Sequence, residues 1–108
     1  MEPNNSAISV QHGVDTTFVT FKDMEILDEG SIKALEKSIM PIVEEAEYEN
    51  LLLNFCNVQF MSSAFLGLLV KIHKRICERG GHLQLRNIDP ELYKVFKITK
   101  LNKVFDIS

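Results

Sequence analysis

Two runs near the start of the chain, "AISVQHGV" and "TTFVTFKD", are rich in Val, Thr and Phe. Their alternation predicts two strands joined around Gly13 and Asp15, a β-hairpin with Val19 and Phe21 on one face and Phe18 on the other. The period then changes. In "ILDEGSIKALEKSIMPIVEEAE", Ile32, Leu35, Ile39 and Val43 recur at helical spacing. Asp28 and Glu29 stand at the start of that helix, where negative charge suits the dipole, and Ser31 competes as its cap. Pro41 predicts a kink or local break. "NLLLNFCNV" is a dense apolar run of strand length, which predicts a central strand covered on both faces. A second helix is expected from about Ser63 to Arg79, stopped by Gly80 and Gly81. "HLQLRNI" alternates as a short strand. "DPELYKVFKI" opens with Asp at a cap position and Pro at the first helical position, and Leu92, Val95 and Phe96 give it an apolar face. The pattern does not type the closing "LNKVFDIS". Residues 1–6 are expected to be a loose tail.

The resulting order, β-β-α-β-α-β-α plus a tail, predicts an α/β domain over residues 7–108. Its sheet is mixed, with an N-terminal hairpin and helices packed on it. The 108 residues suit one domain, and 45% hydrophobic content suits one core. A formal net charge of −3 argues against a general nucleic-acid surface. No run approaches the roughly 18 apolar residues of a membrane span. The polar, acidic start "MEPNNSAISV" predicts no secretion signal. Cys56 and Cys77 lie in apolar patterns and form no CxxC, so both are expected to be reduced core thiols. His12, His73 and His82 are scattered, and no HxxxH or His/Cys cluster offers a zinc site. No glycine-rich phosphate loop is present, and no cofactor is implied.

The junction "FMSSAFLGLL" at residues 60–69 carries the candidate chemistry. On a helical wheel of about 100° per residue, Leu66, Leu69, Val70, Ile72, Ile76 and Cys77 share a broad apolar arc. Ser63, Gly67, Lys71, Lys74 and Glu78 lie opposite. Ser63 therefore points away from the core at a helix N-terminus, beside a glycine with no side chain to cover it and ahead of a basic pair. Unpaired N–H groups at such an end stabilise a phosphate, which makes Ser63 a good phosphoacceptor. The alternative is that Ser62 or Ser63 only caps the helix. His73, within the apolar arc, is expected to pack and not to act as a base, and no GxSxG motif supports a serine hydrolase.

The stretch from Leu51 to Leu69, "LLLNFCNVQFMSSAFLGLL", resembles the STAS domain of anti-sigma-factor antagonists, with its "LxLxxVxFMDSSGLGxL"-type strand and helix. "EILDEGSIKALEKSI" is similar to the family's loop and first helix, and "GGHLQLRNIDPELYKVFKITKLNKVFDI" to its closing rhythm. The resemblance runs from about Ile8 to Ile107. It implies a single STAS-like domain with Ser63 as phosphoacceptor. Ser62 stands where many members have Asp, Ala64 where they have a second serine, and Phe65 where they usually have Gly. Asp28 matches an acidic residue in the loop before the first helix, expected to lie near Ser63. The partner-binding set implied is Asp28, Ser62, Ser63, Ala64, Phe65, Gly67, Lys71 and Lys74. Phe65 either joins the core or alters partner choice.

The resemblance further implies a cytoplasmic partner-switching protein. Unmodified, it binds an anti-sigma factor that is also a serine kinase of the GHKL type. Phosphorylation of Ser63 releases it, and a PP2C-type phosphatase restores it. The alternative within the family is a STAS scaffold or adaptor subunit of a signalling or transport complex, without the phosphorylation switch. A small enzyme with Ser63 or Cys56 as nucleophile is the third class. Cys56, expected in mid-strand and buried, argues against it. Direct nucleic-acid binding is not implied, and oligomeric state stays open.

Overall fold

The computed structural model describes residues 8–45 and 50–107. The expected tail over residues 1–6 lies outside the described residues. β1 (Ile8–His12) and β2 (Thr16–Phe21) form the predicted hairpin, in register Ile8 to Phe21 and Val10 to Val19. Val19 and Phe21 turn inward and Phe18 outward. The other main-sheet strands are β4 (Asn50–Asn54), β6 (His82–Arg86) and β7 (Asp106–Ile107). The order is β1-β2-β4-β6-β7, and every pair after the hairpin is parallel. Helices α1 (Glu29–Glu45), α2 (Ser63–Glu78) and α3 (Pro90–Ile98) make the three crossovers. A 3-10 turn at Leu101–Lys103 leads into β7, which accounts for the untyped tail.

The strand order explains which face is covered. Each crossover steps one strand further in the same direction. A right-handed connection of that kind puts its helix on the same side every time. The inward strand residues Leu51, Leu53, Leu83 and Leu85 share one core with Ile39 of α1, Leu69 of α2 and Phe96 of α3. The opposite face carries Phe18, Leu52 and Gln84 with no helix over it among the described residues. The expectation that the central strand is covered on both faces is therefore corrected. Leu52 is shielded by its neighbours on the sheet, and Phe18 is 40% exposed.

α1 buries the four predicted residues Ile32, Leu35, Ile39 and Val43. It runs unbroken through Pro41, so no break occurs there. Pro41 is exposed, and so is Lys37, whose carbonyl loses the amide donor that proline lacks. Water can satisfy that carbonyl. α2 is stopped by Gly80, just past its C-cap Arg79, and the Gly80 φ of 81° is left-handed. Gly81 N–H donates to the Ile76 carbonyl and Gly80 N–H to that of Cys77, a Schellman stop. Asp89 caps α3 by accepting from Glu91 N–H at 2.9 Å, with Pro90 at the first helical position.

Both cysteines depart from expectation. Cys56 lies in a turn after β4 and is exposed, and Cys77 is exposed on α2. The strand ends at Asn54 because its side-chain carbonyl accepts from Cys56 N–H and turns the chain. The buried arc of α2 also lies further round than the wheel suggests. Phe65 and Leu68 are inside, while Val70 is outside. α1 covers the Leu68 side of α2, through ion pairs of Lys71 with Glu36 and of Arg75 with Glu44.

Candidate functional site

Two short strands build the site. β3 (Glu25–Ile26) and β5 (Phe60–Met61) pair in parallel, Glu25 beside Phe60 and Ile26 beside Met61. Each strand feeds a helix within three residues, β3 into α1 through Leu27 and Asp28, and β5 into α2 through Ser62. Ser62 N–H continues the ladder by donating to the Ile26 carbonyl at 3.0 Å. Parallel pairing thus sets the N-terminal ends of α1 and α2 at one edge of the molecule. The loop holding Asp28 and the start of α2 are adjacent, as the resemblance implies.

The two serines divide the work. Ser62 is the cap, with extended backbone (φ −94°, ψ 168°), and its Oγ accepts from Phe65 N–H at 3.4 Å. Ser63 is the first helical residue and is exposed. Among the described residues its hydroxyl has no hydrogen-bond partner. The first amides of α2 have no acceptor within the helix, as at any helix start, and they sit beside that hydroxyl. Ala64 is exposed next to it. Gly67, one turn on, is exposed, and a Cβ added there meets no atom within 4 Å. The backbone beside Ser63 is therefore bare, and packing does not require it to be.

Asp28 serves α1. Its carboxylate accepts from Ser31 N–H at 3.0 Å and from the Ser31 hydroxyl at 2.8 Å. The hydroxyl and then the amide hold its pKa below the ordinary carboxylate value. Ser31 is thus the partner of the cap and not the cap itself. The carboxylate keeps its charge at the edge shared with Ser63.

Phe65 is a correction to the partner-binding set. It is 0% exposed and meets Phe21 edge-on at 5.4 Å. Phe21 in turn meets Phe55 at 5.1 Å, and Phe55 lies 6.1 Å from Phe65. These three rings form the floor beneath the start of α2. Position 65 thus supports Ser63 from below instead of facing a partner. Lys71 and Lys74 are exposed on α2, and Lys71 is ion-paired with Glu36 of α1. Further along, Arg75 grips Glu44 through two contacts of 2.7 Å and lowers the Glu44 pKa.

The sequence reading missed an apolar rim. Met24, Leu27 and Phe60 are each about half exposed, and all belong to the β3–β5 pair or its flanks. The Met24 carbonyl accepts from both Gln59 and Phe60 N–H, at 2.8 and 3.1 Å. Val70 adds an exposed apolar position on the Ser63 side of α2. Strands of two residues are too short to show a period, so only the tertiary pairing brings these side chains together. Exposed apolar residues grouped round a polar centre are the usual composition of docking surfaces.

Comparison with known proteins agrees with this fold. A family model described as STAS domain matches residues 8–108. The anti-sigma-B factor antagonist of Bacillus subtilis is 32% identical over 82 residues, spanning 76% of this chain and 73% of that protein. A STAS domain anti-sigma-factor antagonist from Planctomyces limnophilus has the same fold, with a TM-score of 0.81 at 24% identity over 93% of this chain and 87% of that one. The antagonist SpoIIAA matches in its unphosphorylated form (TM-score 0.69, 19% identity, 94% and 87% covered). The phosphorylated form of SpoIIAA from Bacillus matches equally well (TM-score 0.71, 18% identity, 94% and 91% covered).

Proposed function

Because the chain belongs to the STAS domain family, we propose that it is an anti-sigma-factor antagonist that works by partner switching. The carrying observation is the division between the two serines. Ser62 is committed to capping α2, which leaves Ser63 exposed at the first helical position. Unmodified, the chain binds an anti-sigma factor that is also a GHKL-type serine kinase. The surface is Ser63, Ala64, Gly67, Lys71 and Lys74, with Asp28 on the adjoining loop and the apolar rim of Met24, Leu27 and Phe60. The kinase transfers a phosphoryl group from ATP to the Ser63 oxygen, and a PP2C-type phosphatase removes it. The protein binds its partners in the cytoplasm and turns over no substrate itself. The described residues contain no helix long and apolar enough to cross a membrane.

The switch is local and electrostatic. Phosphorylation adds roughly −1.5 to −2 charges to a neutral contact at the helix start, where the free amides receive it. Asp28 already places an anion on the same edge, so the added charge makes the contact around Ser63 anionic. Desolvating it against the partner weakens the complex. SpoIIAA, which shares the fold, is known in both forms, and this chain matches the two alike. That supports a charge switch without refolding. Titration calorimetry against the kinase tests the reading. Ser63→Ala is expected to bind as tightly as the wild type, and Ser63→Glu at least tenfold more weakly, about 1.4 kcal/mol. Equal binding of the two variants would overturn it.

A further inference from the structure

Cys77 and His73 lie one turn apart on α2, at the end remote from Ser63. The Cys77 Sγ and His73 Nε2 are 3.6 Å apart. Cys77 is exposed and His73 is half-buried. The Phe105 ring packs edge-on against the imidazole at 5.3 Å and 80°. This separation has a chemical meaning. A tetrahedral zinc ion with bonds of about 2.3 Å to sulfur and about 2.0–2.1 Å to nitrogen sets those two atoms about 3.5–3.6 Å apart. The pair therefore already stands at the bite distance of a chelate. A thiol–imidazole hydrogen bond also fits 3.6 Å, and the two readings differ in what they do with a metal.

The described residues of one chain offer only two ligands here. Among the described residues no group of three His, Cys, Asp or Glu side chains could hold a metal ion. A second copy supplies what is missing. Two His73–Cys77 pairs related by a two-fold axis give a Cys2His2 tetrahedron. The ion's two positive charges are balanced by two thiolates. The surroundings favour such a contact. Val70 lies two turns before Cys77 on the outward side of α2, and Val104 adjoins Phe105, and both are exposed apolar residues.

We propose that His73 and Cys77 form half of a zinc-type site, completed by the same pair of a second copy, so that a borderline divalent cation joins two chains through the C-terminal half of α2. On binding, each thiol releases its proton to solvent and binds as thiolate, and each histidine binds through the Nε2 lone pair of the neutral ring. Fourteen residues of helix, about 21 Å, separate Cys77 from Ser63, so the metal contact leaves the serine end accessible.

The test uses the reduced, metal-free full chain titrated with Co2+. A near-ultraviolet thiolate-to-cobalt band is expected, saturating at one ion per two chains, with a doubled mass by light scattering. Added Zn2+ should bleach the band while the dimer persists. Cys77→Ser and His73→Ala should lose both band and dimer with an unchanged circular dichroism spectrum, while Cys56→Ser keeps both. Absence of the band would overturn the proposal. So would saturation at one ion per chain on a monomer, or a band that survives in Cys77→Ser.

Discussion

Gly67 sits in the interior of α2, where glycine destabilises a helix by about 0.8–1 kcal/mol relative to alanine. An added Cβ there would meet no atom within 4 Å. The backbone lies within an unbroken helix and needs no left-handed conformation. Gly67→Ala thus recovers the helix term with no steric cost, and stability should rise by about 0.8–1 kcal/mol. With a urea slope of about 1–3 kcal/mol/M, the midpoint moves up by roughly 0.3–1 M. The melting temperature rises by about 4 °C for a domain of this size. Folding therefore does not explain the glycine. On the proposed function, close approach of a partner to the backbone beside Ser63 accounts for it, and the same variant should then bind the kinase at least tenfold more weakly. Urea unfolding and titration calorimetry on one preparation read both quantities. An unchanged or lower midpoint would refute the packing argument. A higher midpoint with unchanged affinity would refute the functional one.

Other variants separate support from contact. Phe65→Ala empties the ring cluster with Phe21 and Phe55 and should cost about 3–5 kcal/mol in urea unfolding; a loss below about 1 kcal/mol would return Phe65 to the surface. Ser62→Ala should cost about 0.5–1 kcal/mol through the lost cap, near the low end because the 3.4 Å bond is long. Ser63→Ala should leave the unfolding midpoint within about 0.5 kcal/mol of wild type, and the reverse order of the two serines would contradict their assigned roles. Asp28 has a depressed pKa in the folded state. Its contribution is therefore complete above the ordinary value of 3.8 and is lost as pH falls through the lower folded value. Asp28→Asn keeps a capping oxygen but not the titration, so its midpoint should fall less steeply below about pH 4 than that of the wild type.

Much of this architecture is legible along the chain, because periodicity records which side of an element meets the core. Ile32, Leu35, Ile39 and Val43 mark the inner face of α1 without help from the structure, and Asp89-Pro90 marks the start of α3. What the pattern conceals is set between elements. A wheel gives the width of an apolar arc but not the direction of the neighbouring helix. That is why Phe65 and Leu68, on the α1 and phenylalanine side, are buried while Val70 and Cys77 are not. The open sheet face follows from three crossovers stepping the same way, a property of strand order that the Leu51-Leu52-Leu53 run does not carry. The serines are half legible. Their position at a helix start is plain, but which one caps depends on the ladder from Ile26 to Ser62. The two-residue strands that make this ladder, and the rim of Met24, Leu27 and Phe60 beside it, have no period to detect.

The central claim is that Ser63 is an acceptor whose phosphorylation dissociates a kinase partner. Its most direct test is mass spectrometry of the full chain after incubation with ATP and the candidate serine-kinase anti-sigma factors, paired with size-exclusion of the same mixture. Phosphate on Ser63 and loss of the complex is the predicted result. Phosphate confined to another residue, or a complex that persists with ATP while Ser63 stays unmodified, would contradict it.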